Sequence, residues 1–105
     1  MDWLTRIAEA GFRPVGHWEL AGGKPVCRLV SHAQSADVLY SFVIDGAVMY
    51  VGKTTMALSR RMYGYQNPGP SQRTNIANHA HIVRALNEGK RVEVQSLKFN
   101  WAETR

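Results

Sequence analysis

One cysteine stands among 105 residues, so the chain cannot close a disulfide on itself. Cys27 lies among Pro25, Val26, Leu29 and Val30, and such a setting reads as a small buried hydrophobe rather than a nucleophile. No run approaches the roughly 20 consecutive apolar residues of a membrane span. Nor does the N-terminus, with Asp2 and Glu9 in an amphipathic pattern, show the basic start and apolar centre of a signal peptide. A cytoplasmic protein with no membrane partner is expected. Internal repeats, low-complexity segments and charged tails are absent as well. Acids are scarce in one region. From Lys53 to Arg91 seven basic residues (Lys53, Arg60, Arg61, Arg73, Arg84, Lys90, Arg91) face only Glu88, a net +6 that leaves −1 for the rest of the +5 total. A regional excess of this kind suggests a polyanionic partner.

What is present suits one small domain: 45% hydrophobic residues against 20% charged is enough for a single core. Residues 2–10 place Trp3, Leu4, Ile7 and Ala8 on one helical stripe, with Asp2 as N-cap and Gly11 as stop. VGHWEL and PVCRLV, on either side of Ala21-Gly22-Gly23-Lys24, read as two short strands or extended arms. Residues 37–44, DVLYSFVI, form a strand buried on both faces, and AVMYVG, residues 47–52, returns after Asp45-Gly46. A two-residue loop at Asp45-Gly46 pairs Tyr40 with Val51 and sends Tyr40 and Tyr50 to opposite faces. A three-residue loop with Gly46 in a bulge puts the two tyrosines directly opposite each other.

Beyond Gly52, Thr54 or Thr55 can cap a helix on which Leu58 and Met62 repeat beside Arg60 and Arg61. Residues 63–75 form a polar loop holding two of the four prolines. A helix from about Asn78 to Glu88 follows, closed by Gly89, and residues 92–99 alternate as a third strand. His79 and His81, two apart, point to different sides of that helix and make a poor metal pair.

Two strand tyrosines, a strand-end glycine, a lysine after it and an arginine on the next helix together resemble the GIY-YIG endonuclease family. Val38-Leu39-Tyr40 matches the first motif loosely, Tyr50-Val51-Gly52 matches the second well, and Lys53 and Thr54 extend the match. Arg61 with Tyr65 four residues later fits the family's helix motif, with Arg60 as the alternative arginine. The likeness covers residues 37–98, with residues 1–36 as an N-terminal extension packed on a 37–105 core.

The resemblance implies an α+β fold, a compact three-stranded antiparallel sheet flanked by helices. It implies hydrolysis of a DNA phosphodiester with one divalent metal, Mg²⁺ or Mn²⁺. Carried over, Tyr40 is the general base, Tyr50 orients water or phosphate, Arg61 stabilises charge on the phosphate oxygens, and Tyr65 supports the phosphate or leaving oxygen. A tyrosine near pKa 10 needs positive charge close by to act as base, and Lys53 is expected to supply it. The resemblance also selects the three-residue loop. Arg60, Arg73, Asn75 and Arg84 are expected at the DNA, with Asn75 leaning toward a helix-capping role.

The family's metal ligand is a glutamate on a helix after the third strand. This sequence runs to Trp101-Ala102-Glu103-Thr104-Arg105, where that helix would be starting, and Glu103 is the only acid there. No metal ligand is assigned, and a piece of a longer protein, or a diverged one that binds nucleic acid without cutting, is expected. Nothing in the chain fixes an oligomeric state.

Overall fold

The structure is a computed structural model and describes residues 2–98. Glu103 and Trp101 lie outside the described residues. Along the chain run α1 (Trp3–Ala10), β1 (Arg13–Ala21), β2 (Lys24–Leu29), β3 (Val38–Ile44), β4 (Ala47–Thr54), α2 (Leu58–Gln66), α3 (Arg73–Asn87) and β5 (Val92–Lys98).

The sheet has five strands in the order β2-β1-β5-β3-β4, every neighbouring pair antiparallel. This corrects the expectation of three. VGHWEL and PVCRLV are strands, and β1 pairs with β5 in the middle of the sheet, so β5 is bonded on both sides. The reason the N-terminal strands read weakly is their irregular burial: β1 carries a bulge between Pro14 and Gly16, which breaks the simple alternation.

Helices α2 and α3 cover one face. Their apolar residues Leu58, Met62, Tyr65, Ile82 and Ala85 join Val15, Trp18, Val38, Tyr40, Phe42, Val92 and Val94 in the main core. The other face carries a smaller cluster, Ile7, Phe12 and Val43 with Leu4, Leu39, Val48 and Leu97 around it, under α1. That helix starts and ends as the sequence indicates: Asp2 Oδ1 accepts from Thr5 N–H at 2.8 Å, and the Gly11 amide donates to the Ala8 and Ile7 carbonyls. Trp3 is 66% exposed and Ala8 is exposed too, so the stripe that packs on the sheet narrows to Leu4 and Ile7.

The β3–β4 hairpin decides where the tyrosines go. Its loop has two residues, Asp45 (φ 44°) and Gly46 (φ 80°), with Ile44 opposite Ala47. Both backbones are left-handed, the conformation that matches strand twist and that Asp-Gly adopts readily. The three-residue loop is therefore incorrect. Val43 pairs with Val48, but Phe42 pairs with Tyr50, so Met49 is an extra residue bulged out of the ladder. One inserted residue shifts the alternation by one and returns Tyr50 to the face of Tyr40. Tyr40 itself stands opposite Gly52, not opposite Tyr50.

Two helix boundaries also differ from expectation. Neither threonine caps α2: its flanking residue is Ala57, without a side-chain cap, and Thr54 Oγ1 instead bonds the Met56 backbone. The first amides are satisfied from outside, Leu58 N–H by Ser35 O at 2.9 Å and Ser59 N–H by Ala33 O at 2.8 Å. The polar loop is shorter than residues 63–75, because α2 continues to Gln66 and α3 begins at Arg73.

Candidate active site

Tyr40, on β3, and Tyr65, on α2, are both fully buried with 0% exposure. Their hydroxyl oxygens are 2.6 Å apart. Arg61, one helical turn before Tyr65, lies against both: Nε donates to Tyr40 Oη at 3.1 Å and Nη2 donates to Tyr65 Oη at 2.9 Å. The guanidinium carbon sits 4.5 Å from the Tyr65 ring centre, within cation–π range. Nη2 also donates to Asn75 Oδ1 at 3.1 Å, and Asn75, 6% exposed, reaches in from α3. Arginine has five N–H donors and no acceptor. Three are taken by these bonds, and the two on Nη1 have no acceptor among the described residues.

Tyr50 closes the ring cluster. Its ring stacks on Phe42 at 5.9 Å and lies 6.3 Å from Tyr40 and 6.4 Å from Tyr65. The strand-end glycine has a steric reason. A Cβ on Gly52 would fall 2.6 Å from Tyr40 Cζ and Oη and 2.8 Å from Tyr50 Cε2, so the Tyr40 ring lies across bare backbone.

Proton placement follows from counting donors. Two hydroxyls share one hydrogen bond, so only one of them donates across the 2.6 Å contact. If Tyr65 donates, Tyr40 Oη receives from both Tyr65 and Arg61, which suits a phenolate. Burial pushes Tyr40 above the ordinary tyrosine range, and the Tyr65 hydrogen bond and Arg61 charge only oppose it. Tyr65 is raised too, first by burial and then by its bond to Tyr40. At neutral pH both therefore keep their protons in the free protein.

The structure gathers Tyr40, Tyr50, Arg61, Tyr65 and Asn75, keeps Arg73 beside them, and places Lys53 and Arg84 apart. Lys53 pairs with Leu39, whose side chain belongs to the α1-side cluster, so the alternation of β4 puts it on the opposite face from Tyr40. It is not the positive charge beside that phenol; Arg61 is. Arg60 is exposed next to Arg61. Arg73 lines an open cavity of about 270 Å³ with Arg61, Gln72, Thr74 and Asn75. Arg84 is exposed in the last turn of α3, about 16 Å further along the axis at 1.5 Å per residue. Asn75 does not cap α3: it takes an arginine instead.

Sequence reasoning missed the Asn75–Arg61 contact and Gln72. The buried stripe of α3 is Asn75, Asn78, Ile82 and Ala85, and beginning the helix at Asn78 left Asn75 in a loop. An asparagine in register with a buried stripe is a signal in itself, because a buried amide needs partners.

No group of three or more His, Cys, Asp or Glu suited to a metal occurs among the described residues. His79 Nδ1 is 2.8 Å from the Tyr65 carbonyl, to which it donates, joining α3 to α2. The described residues thus do not by themselves fit a divalent ion. Among them, no helix is long and apolar enough to cross a membrane.

No protein-family model and no curated protein sequence matches the chain. Solved structures do. A mutant of bacteriophage T4 EndoII matches with a TM-score of 0.70 at 25% identity, over 90% of this chain and 72% of that one. Restriction endonuclease HPY188I in complex with product DNA matches with a TM-score of 0.71 at 17% identity, over 95% of this chain and 62% of that one. This chain spans less than two thirds of the restriction enzyme. With an α+β architecture shared with both, it carries a nuclease fold.

Proposed function

We propose that this domain is a DNA endonuclease of the GIY-YIG type. The observation that carries the reading is Arg61, fixed by hydrogen bonds to Tyr40, Tyr65 and Asn75 while the two Nη1 donors have no acceptor among the described residues, with Arg61 lining a cavity shared with Arg73. A guanidinium held in this way is pre-oriented for a phosphate oxygen, where charge builds during hydrolysis. Tyr40, once ionised, takes a proton from a water; the water's oxygen bonds to phosphorus as the bond to the leaving oxygen breaks, and the leaving oxygen takes a proton from solvent. Tyr65 donates to that phenolate, Tyr50 bounds the water or phosphate, and Arg60, Arg73 and Arg84 hold DNA phosphates. By the family likeness Mg²⁺ or Mn²⁺ would supply further charge at the phosphate; no described residue is assigned to hold it.

Nicking of supercoiled plasmid in Mg²⁺ or Mn²⁺ tests this. Arg61→Ala is expected to lower the rate by about 100-fold or more, and Tyr40→Phe to abolish the pH-dependent part. Below the Tyr40 pKa the wild-type rate rises with pH, because only the phenolate is a base. Cleavage unaffected by both substitutions overturns the assignment.

The second reading is a nucleic-acid-binding module without cleavage, favoured by the burial that keeps Tyr40 protonated. It gives DNA binding that weakens as salt rises, since phosphate contacts release counterions, and no nicking in either metal.

A further inference from the structure

We propose that Asn75 is the positioning residue that sets the orientation of Arg61, and that Gln72 in turn sets Asn75. Arg61 has a flexible side chain, and its contacts with the two phenols do not by themselves fix the plane of the guanidinium: Nε and Nη2 reach Tyr40 and Tyr65, whose hydroxyls lie side by side. Asn75 Oδ1 adds a third acceptor from a different helix. The second hydrogen of Nη2 is thereby used, so Nη1 is the part of the fork left to meet a ligand.

The asparagine is itself held in one orientation. Its Nδ2 donates to Gln72 Oε1 at 3.2 Å, and the same oxygen accepts the Gly69 amide at 2.8 Å. Gln72 Oε1 can only accept, so Asn75 must turn Nδ2 toward it and Oδ1 toward Arg61. The chain Gly69–Gln72–Asn75–Arg61 ties the Pro68–Pro70 turn to the guanidinium. Backbone spacing is consistent with this: a Cβ on Gly64 would lie 3.3 Å from Asn75 Nδ2 and 3.4 Å from Arg61 Nη1, so α2 presents a glycine where α3 brings the amide in.

That the oriented Nη1 meets a phosphate rests on the endonuclease reading; that Asn75 orients Arg61 does not. The experiment separates them by following the Arg61 Nη–H protons, which include the Nη2 hydrogen that Asn75 accepts, by ¹⁵N NMR in protein free of metal and DNA, with the exposed Arg60 as internal control. Losing the hydrogen bond from the charged Nη2 in Asn75→Ala is expected to speed Arg61 Nη–H exchange roughly tenfold, with Arg60 unchanged. Asn75→Asp, which keeps an acceptor for Nη2, is expected to stay within about twofold of wild type if the acceptor is what matters. Exchange in Asn75→Ala equal to wild type overturns the proposal, as does exchange in Asn75→Asp as fast as in Asn75→Ala. Should Asn75→Ala fail to fold, the exposed Gln72→Ala carries the test: a several-fold rise supports the relay, and no rise overturns it. In nicking assays Asn75→Ala is expected to lower kcat with KM little changed, and absence of nicking in wild type would count against the endonuclease reading alone.

Discussion

The two faces of the sheet are built from the same strands and do different work. On the α1 side the cluster of Ile7, Phe12 and Val43 with Leu4, Leu39, Val48 and Leu97 is apolar, and its helix is pinned at its ends. On the α2–α3 side the core is larger, yet two phenols, a guanidinium and an amide sit inside it, bonded to one another. Apolar packing alone would be cheaper there, because buried polar groups cost free energy unless each is satisfied. Within the network, Arg61 uses Nε and both Nη2 donors, while its two Nη1 donors have no acceptor among the described residues. The polar cluster lies on the face with the larger core.

The largest contrast between the faces is in stability. Leu58 is fully buried among the α2–α3 residues, and Leu58→Ala is expected to cost about 2–5 kcal/mol by loss of burial plus a cavity. Leu4, half-buried at the rim of the α1 cluster, is expected to cost about 1 kcal/mol in the same substitution. Urea melts of the two variants measure the difference, and equal losses would mean that α1 contributes to the core as fully as α2.

Gly52→Ala comes next. Its added carbon would overlap the Tyr40 hydroxyl end, so Tyr40 or the β4 backbone must shift, at about 1–3 kcal/mol. The same change should disturb the tyrosine network, visible as altered near-ultraviolet circular dichroism. At Gly46 the nearest atom to an added carbon is Leu4 Cδ2 at 3.9 Å, so Gly46→Ala tests left-handed backbone strain alone.

How much of this was legible in the sequence depends on what each feature requires. The β3 and β4 strands and the α1 cap were readable, because hydrophobic period and capping residues report them locally; the tyrosine–arginine set was readable only through the family resemblance. That the tyrosines share a face was expected for an incorrect reason. Asp45-Gly46 forms the tight turn its residues favour, and the face is restored by a bulge at Met49, which no residue type announces. The position of β1 beside β5 was equally hidden, since pairing between segments more than seventy residues apart leaves no local period. Lys53 was misplaced because adjacency to Gly52 in sequence is not adjacency across a sheet: the next residue along a strand faces the other way.

Alkaline pH sharpens the comparison further, because the raised phenols are both on one face. Tyr40 and Tyr65 hold their protons more tightly folded than unfolded, chiefly through burial. The unfolded chain ionises first, so stability that is complete below about pH 10 falls as pH rises toward the folded values. Tyr65→Phe is expected to flatten that fall in melting temperature against pH. A fall of unchanged slope would place its origin in other groups, among them the Cys27 thiol, which burial pushes up to about 12.

The smallest effect belongs to the α1 face. Asp2 is held below the usual carboxylate range by the Thr5 amide, so its contribution is present above the unfolded carboxylate value and lost as pH falls through the folded one. Asp2→Ala removes the cap and should loosen α1 while leaving the tyrosine signals unaltered; Asp2→Asn, which caps as well, should leave both alone. Amide exchange across residues 3–10 measures the first, and near-ultraviolet circular dichroism the second. If Asp2→Ala disturbed the tyrosines, the two faces would be coupled through the sheet, and the independence argued from their separate clusters would be lost.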